Sequence, residues 1–264
     1  MILDSLANSA RIRVEQRKAQ LPFNELKKST LLLNNKTDFP FEKALQKKDI
    51  GFICEVKKAS PSKGLITAYF PYLEIAKEYE QAGAAAISVL TEPEYFLGSD
   101  EYLKEIQKTV NVPLLRKDFT VDVYQIYEAK TLGASAVLLI CALLNTETIR
   151  EYISVCDELG LSALVEAHDE HEVESALNAC ARIIGVNNRN LKDFTVDINN
   201  SLFLRKLIPE NILFVAESGI KTAEDINILR QANVNAVLIG EILMQSEDKV
   251  KKLRELRGNL YDSN

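Results

Sequence analysis

Ala82-Gly83-Ala84-Ala85-Ala86-Ile87 ends one amphipathic run and begins an apolar one, and the same join returns along the chain. It recurs as Leu132-Gly133-Ala134-Ser135-Ala136-Val137 and Leu159-Gly160-Leu161-Ser162-Ala163-Leu164. A fourth copy, Ala232-Asn233-Val234-Asn235-Ala236-Val237, has Asn in the glycine position. Glycine or Asn tolerates the left-handed backbone that ends a helix, and the small residues after it let helix and strand pack closely. The spacing predicts helices over Pro71–Gln81, Asp122–Leu132, Asn145–Leu159, Asp169–Ala179 and Thr222–Ala232. Between and around them fall apolar runs expected as strands: Ile50–Lys57, Ala85–Leu90, Val112–Arg116, Ala136–Cys141, Ser162–Glu166, Arg182–Asn187, Ile212–Ala216 and Ala236–Gly240. Val, Ile and Leu fill them without alternation, as in parallel strands covered on both faces.

Eight such units predict a (β/α)8 TIM barrel. The rival, a doubly wound open sheet, would usually need fewer strands and a Gly-rich first turn, and no G-x-G-x-x-G or G-x-x-x-x-G-K-[ST] occurs. Residues 1–48 are helical in pattern, charged, and interrupted at Pro22 and Pro40. They are expected to pack as an N-terminal helical extension on a barrel of about residues 49–258, the whole of 1–264 forming a single domain.

At 47% hydrophobic and 27% charged, the 264 residues suit a globular protein with a sizeable core. The net charge of −6 argues against a nucleic-acid binder, whose affinity comes from a basic surface. Cys54, Cys141, Cys156 and Cys180 are far apart and form no C-x-x-C pair, which fits a reducing compartment. No apolar stretch approaches the about 18 residues of a membrane span. Met1-Ile2-Leu3-Asp4 lacks the basic and hydrophobic regions of a secretion signal. The expected location is the cytoplasm, with no membrane contact.

The first strand is the chemically unusual one. In Ile53-Cys54-Glu55-Val56-Lys57-Lys58-Ala59-Ser60-Pro61-Ser62-Lys63-Gly64, Glu55 and Lys57 share one face and Cys54 and Val56 the other. An unpaired buried charge costs several kcal/mol, so the charged face has a purpose. Barrel active sites lie at the C-terminal strand ends. Those ends carry Glu55 and Lys57, Thr91-Glu92, Arg116-Lys117-Asp118-Phe119, Glu166, Asn187-Asn188-Arg189, Glu217-Ser218-Gly219 and Gly240-Glu241. Any one of them alone reads as an ion pair or a solvated loop; the fold would gather all of them into one ring. Lysines close to each other and to aromatics are expected to have lowered pKa values and to serve as proton donors, with a carboxylate across the ring as acceptor. Ser218-Gly219 and Gly240-Glu241 follow the last two strands, where barrels often bind phosphate through backbone N–H groups. His168 and His171 form an H-x-x-H among acids, a pattern read as a solvated helix start rather than a metal site.

In order along the chain, these segments resemble the motifs of indole-3-glycerol phosphate synthases. The resemblance rests on Glu55 to Gly64, Ser88-Val89-Leu90-Thr91-Glu92, Phe96-Leu97-Gly98-Ser99 and Leu115-Arg116-Lys117-Asp118-Phe119. It continues through Leu164-Val165-Glu166, Gly185 to Leu191, Ala216-Glu217-Ser218-Gly219-Ile220 and Ile239 to Met244. It implies closure of 1-(2-carboxyphenylamino)-1-deoxyribulose 5-phosphate to indole-3-glycerol phosphate, with loss of CO2 and water, in tryptophan biosynthesis. It implies a small phosphorylated substrate and neither cofactor nor metal. By the same resemblance Lys117 is the general acid and Lys57 pairs with the substrate carboxylate. Glu166 moves protons in the dehydration, and Glu55 and Asn187 hold the lysines and substrate hydroxyls. Ser60, Arg189 and Glu217 join the substrate-binding set and Phe119 contacts the anthranilate ring. Ser218, Gly219, Gly240 and Glu241 bind phosphate. Asn190 and Glu241 depart from common family residues, which bears on loop geometry. Related phosphate-binding isomerase barrels use Asp or Cys/Asp pairs where this chain has Glu55, Lys57, Lys117 and Glu166. A barrel that binds a phosphorylated ligand without turnover is the non-enzymatic alternative.

Overall fold

The computed structural model describes residues 2–190 and 194–258. Eight parallel strands close into a barrel: β1 (Gly51–Val56), β2 (Ala86–Leu90), β3 (Leu114–Lys117), β4 (Ala136–Ile140), β5 (Ser162–Ala167), β6 (Ile183–Asn187), β7 (Leu213–Glu217) and β8 (Ala236–Ile239). Each pairs with its sequence neighbours, and β1 closes the ring on β8. All eight expected strands are present, with ends moved by one or two residues. The largest shift is at β3, which starts at Leu114 rather than Val112 because Pro113 has no N–H to donate to a ladder.

Alternation along each strand divides the core in two. Ile53, Leu115, Leu138, Leu164, Ile183 and Leu213 fill the barrel interior. Cys54, Val56, Val137, Val165, Ile184 and Phe214 face outward and pack under the helices. The parity that points Ile53 inward also points Glu55 and Lys57 inward, and the same holds for Leu115 with Lys117 and Leu164 with Glu166.

Three helices precede the barrel: α1 (Ile2–Gln20), α2 (Phe23–Leu31) and α3 (Pro40–Leu45). The expected breaks at Pro22 and Pro40 hold, each proline standing at a helix start. The ends of the extension serve opposite faces of the barrel. Phe41 and Leu45 of α3 join the interior cluster, while Glu42 accepts from Ser162 Oγ at 3.2 Å and from Arg182, at the N-terminal ends of β5 and β6. At the other face, Arg13 of α1 binds Glu92 at 3.2 Å and Asp118 at 2.8 Å.

The outer layer continues with α4 (Tyr72–Gln81), α5 (Asp100–Gln107), α6 (Tyr124–Thr131), α7 (Thr146–Glu158), α8 (Glu170–Asn178), α9 (Asn199–Leu204), α10 (Ala223–Gln231), α11 (Glu241–Met244) and α12 (Lys249–Arg257). A short hairpin pairs Ala59–Ser60 with Gly64–Leu65 just beyond β1. No described helix is long and apolar enough to cross a membrane. Because Phe41 is wholly buried, Phe41→Ala should cost about 3–5 kcal/mol in urea unfolding. A loss below about 1 kcal/mol would show that α3 does not close the barrel floor.

Candidate active site

The strand ends enclose a cavity of about 510 Å³ at the C-terminal face. Every residue singled out for the site lines it: Glu55, Lys57, Ser60, Lys117, Phe119, Glu166, Asn187, Arg189, Glu217, Ser218, Gly219, Gly240 and Glu241. Thr91 and Glu92, also at a strand end, serve the loop instead. Thr91 donates to Asp118 at 2.8 Å, and Glu92 accepts the backbone N–H groups of Glu94, Tyr95 and Phe96. Sequence reasoning quoted Phe96 in a motif but gave it no part in the site, though its ring stands 6.1 Å from that of Phe119; it missed Ile2, Leu3 and Leu6 of α1, which line the same cavity.

The floor is charged. Lys117 Nζ lies 3.5 Å from Glu166 Oε2 and 3.6 Å from Glu217 Oε2, and Lys57 Nζ lies 2.5 Å from Glu55 Oε1. The expected lowering of lysine pKa is overturned at Lys117. Burial works against its ammonium, but Glu166, Glu217 and Glu55 outweigh burial and raise it. Lys117 is therefore a firm cation, a donor and never a base at neutral pH. Glu55 and Glu166 are lowered: burial favours their neutral forms, yet Lys57 and Lys117 dominate at Glu55, and Lys117, His168 and a hydrogen bond with Asn187 dominate at Glu166. Glu217 goes the other way. Burial, reinforced by Glu166 and Glu55, overcomes Lys117 and pushes its carboxyl up to about 8. Its Oε1 is buried with no hydrogen-bond partner among the described residues.

Two glycines make room for this floor. A Cβ on Gly185 would sit 2.3 Å from Glu217 Oε1, and one on Gly240 would sit 2.6 Å from Glu55 Oε1. Neither needs left-handed backbone, so what each supplies is space for a carboxylate. Ser218 and Gly219, in contrast, are both left-handed, with φ of 66° and 81°.

The rim is basic. Glu241 bridges Lys63 at 3.4 Å and Arg189 at 3.7 Å, joining the loops after β1, β6 and β8. Asn190 holds its loop through backbone contacts, accepting from Phe194 and donating to Thr195; Leu191, the last residue of that motif, lies outside the described residues.

The expected solvated helix start at His168–His171 is half right. Asp169 caps α8 by accepting the Glu172 N–H at 2.9 Å. His168, however, is turned inward: Nδ1 lies 3.0 Å from Glu172 Oε2 and Nε2 lies 3.4 Å from Glu166 Oε1. No group of three or more His, Cys, Asp or Glu among the described residues is arranged to hold a metal ion.

A family model described as indole-3-glycerol phosphate synthase matches residues 3–256. The indole-3-glycerol phosphate synthase of Ruminiclostridium cellulolyticum is 61% identical over 259 residues, covering 98% of this chain and 100% of its own. That of Endomicrobium trichonymphae is 56% identical, covering 97% of this chain and 100% of its own. Among solved structures, a 3-hexulose-6-phosphate synthase from Salmonella typhimurium superposes with a TM-score of 0.64 at 14% identity, over 78% of this chain and 96% of that one; this likeness concerns the fold alone.

The raised Glu217 has a thermodynamic signature. Between pH 4.5 and about 8 the folded chain holds a proton that the unfolded chain has lost, so stability falls as pH rises through that window. Glu217→Gln removes this loss, and urea unfolding across the window should show the variant gaining on the wild type, at most about 1.4 kcal/mol per pH unit. Parallel curves would show that Glu217 is ionised in the fold.

Proposed function

The chain belongs to the indole-3-glycerol phosphate synthase family, and we propose that the charged cavity floor divides the steps of that reaction among its residues. The enzyme is a decarboxylating carbon–carbon lyase of tryptophan biosynthesis. It closes 1-(2-carboxyphenylamino)-1-deoxyribulose 5-phosphate to indole-3-glycerol phosphate with release of CO2 and water. The ring carbon bearing the carboxylate attacks the ketone carbon, and negative charge develops on the ketone oxygen. Lys117 meets that oxygen as general acid. Its raised pKa suits the task, because an alkoxide is more basic than an amine and still takes the proton.

Lys57 pairs with the carboxylate that leaves as CO2. Its ammonium is held by Glu55, so that carboxylate positions Lys57 for the substrate's own. Loss of CO2 restores the aromatic ring. Dehydration then requires a proton delivered to the departing hydroxyl and another removed from the neighbouring CH2. Glu166, kept ionised despite burial, is the base for the second. Asn187 orients Glu166 and, with Ser60, meets substrate hydroxyls. Phe119 and Phe96 flank the anthranilate ring and exclude water. Arg189, the backbone of Ser218-Gly219 and Gly240-Glu241, and Lys63 receive the phosphate, with Glu217 completing the binding surface. We place the enzyme in the cytoplasm, where its four free cysteines stay reduced, and treat the extension and barrel as one working domain.

The observation that carries this reading is a half-buried ammonium, Lys117, walled by carboxylates on one side and open to an aromatic-lined cavity on the other. Incubation with the carboxyphenylamino sugar phosphate tests it by indole fluorescence, since the chain contains no Trp. Absence of product from folded protein would sink the reading. Lys117→Met should lose about 10²–10⁴-fold in kcat with the fold retained by circular dichroism. Near-normal turnover would remove Lys117 from the acid role.

A further inference from the structure

Glu166 and Glu217 are matched in setting and opposite in behaviour. Both are inward-facing, almost wholly buried and at similar distances from Lys117. Yet Glu166 is held ionised and Glu217 is pushed toward its neutral form. The two differ in what stands behind them. Glu217 Oε1 has no hydrogen-bond partner among the described residues, whereas Glu166 Oε1 faces His168 Nε2 at 3.4 Å.

His168 is held for this contact from three sides. Its backbone N–H donates to Glu172 Oε2 at 2.8 Å, and the same carboxylate oxygen lies 3.0 Å from ring Nδ1. Glu172 is fixed in turn because Asp169 caps its N–H. Asn200 of α9 donates to the His168 carbonyl at 3.0 Å. A ring nitrogen facing a carboxylate carries its proton, so Nδ1 is N–H. A neutral ring would then aim the lone pair of Nε2 at a second carboxylate, whereas the imidazolium is attracted to both. Nε2 is buried and makes no aligned hydrogen bond among the described residues, so its 3.4 Å approach to Glu166 Oε1 acts as an ion-pair contact.

We propose that His168 is a positioning residue of the reaction: clamped by Glu172, its imidazolium holds the Glu166 carboxylate ionised and aimed into the cavity, from the side opposite Lys117. This rests on the reading of Glu166 as the base of the dehydration. The charged groups facing His168 are Glu166 near the end of β5, Glu172 in the first turn of α8 and Glu217 on β7, with Lys117 on the other carboxylate oxygen of Glu166. Burial opposes the ring's charge, but the hydrogen bond with Glu172 and the fields of Glu166, Glu172 and Glu217 outweigh it and raise its pKa.

The chain's two histidines make the test direct. Proton NMR titration of the imidazole Cε1–H signals, assigned with His171→Gln, should place the His168 midpoint above the ordinary histidine range. That midpoint should fall in Glu166→Gln and in Glu172→Gln, because coupling between two sites is reciprocal. In kinetics, His168→Gln should lose on the order of tenfold in kcat near pH 6, with KM within about twofold, and lose less as pH rises. Its acid limb moves up because Glu166 then protonates more easily. An unchanged His168 midpoint in Glu166→Gln overturns the proposal, and that measurement needs no His168 variant to fold. A folded His168→Gln that follows the wild-type pH profile also overturns it. Full turnover by Glu166→Gln would strike instead at the base assignment on which the proposal rests.

Discussion

An ammonium largely withdrawn from water has to be surrounded by acceptors, and in this barrel that ammonium is Lys117. Taking an ion out of water costs several kcal/mol. The offset comes from Glu166 and Glu217, each within 3.6 Å of Nζ, with Glu55 further round the ring. The acids gathered for this purpose repel one another, and each settles by its own neighbours. Glu55 has Lys57, Glu166 has Lys117, Asn187 and His168, and Glu217 is left to share Lys117 and leans toward protonation. One floor thus offers two cations, two carboxylates and an acid leaning toward its neutral form within a few ångströms. A reaction that protonates a ketone oxygen, expels CO2 and then removes water needs that variety.

Barrel geometry explains how the groups meet. Side chains inside such barrels form layers drawn from alternate strands. Glu55 comes from β1 with Lys57 just past its end, Lys117 from β3, Glu166 from β5 and Glu217 from β7. The intervening strands yield space. Gly185 on β6 and Gly240 at the end of β8 leave the volumes that Glu217 and Glu55 occupy. These glycines read in sequence as a strand interior and a phosphate-loop residue. In the fold, both also seat carboxylates.

Much of this was legible in the chain because parallel strands covered on both faces are written as apolar runs, and helix ends such as Gly83, Gly133 and Gly160 punctuate them. The inward residues at strand ends followed from parity alone. What stayed hidden depended on contacts between distant segments. The direction of the Lys117 shift could not be read, since it turns on how many carboxylates β5 and β7 bring to it. His168 looked solvated because an H-x-x-H at an acidic helix start is usually exposed; the turn that buries it is held by Glu172 and by Asn200 from the distant α9. The α5 helix passed unnoticed because only Leu103 and Ile106 are buried on it, and α9 because it is six residues long with no acid in its first turn.

The Arg116-Lys117-Asp118 triplet shows why the extension belongs to the same machine. Alternation sends Lys117 into the cavity and Arg116 outward, where it is buried and donates to Thr91, the Gln125 carbonyl, Asp100 and Glu128. Arg17 of α1 closes on the same Asp100 and Glu128, and Arg13 of α1 binds Asp118. The residues on either side of the acid are thus tied to the first helix through buried or half-buried ion pairs, and removing one partner from such a pair leaves an uncompensated charge. The same helix lines the cavity with Ile2, Leu3 and Leu6. Its contacts therefore bear on both the wall of the cavity and the strand end that carries the ammonium, so α1 braces the residues on either side of Lys117.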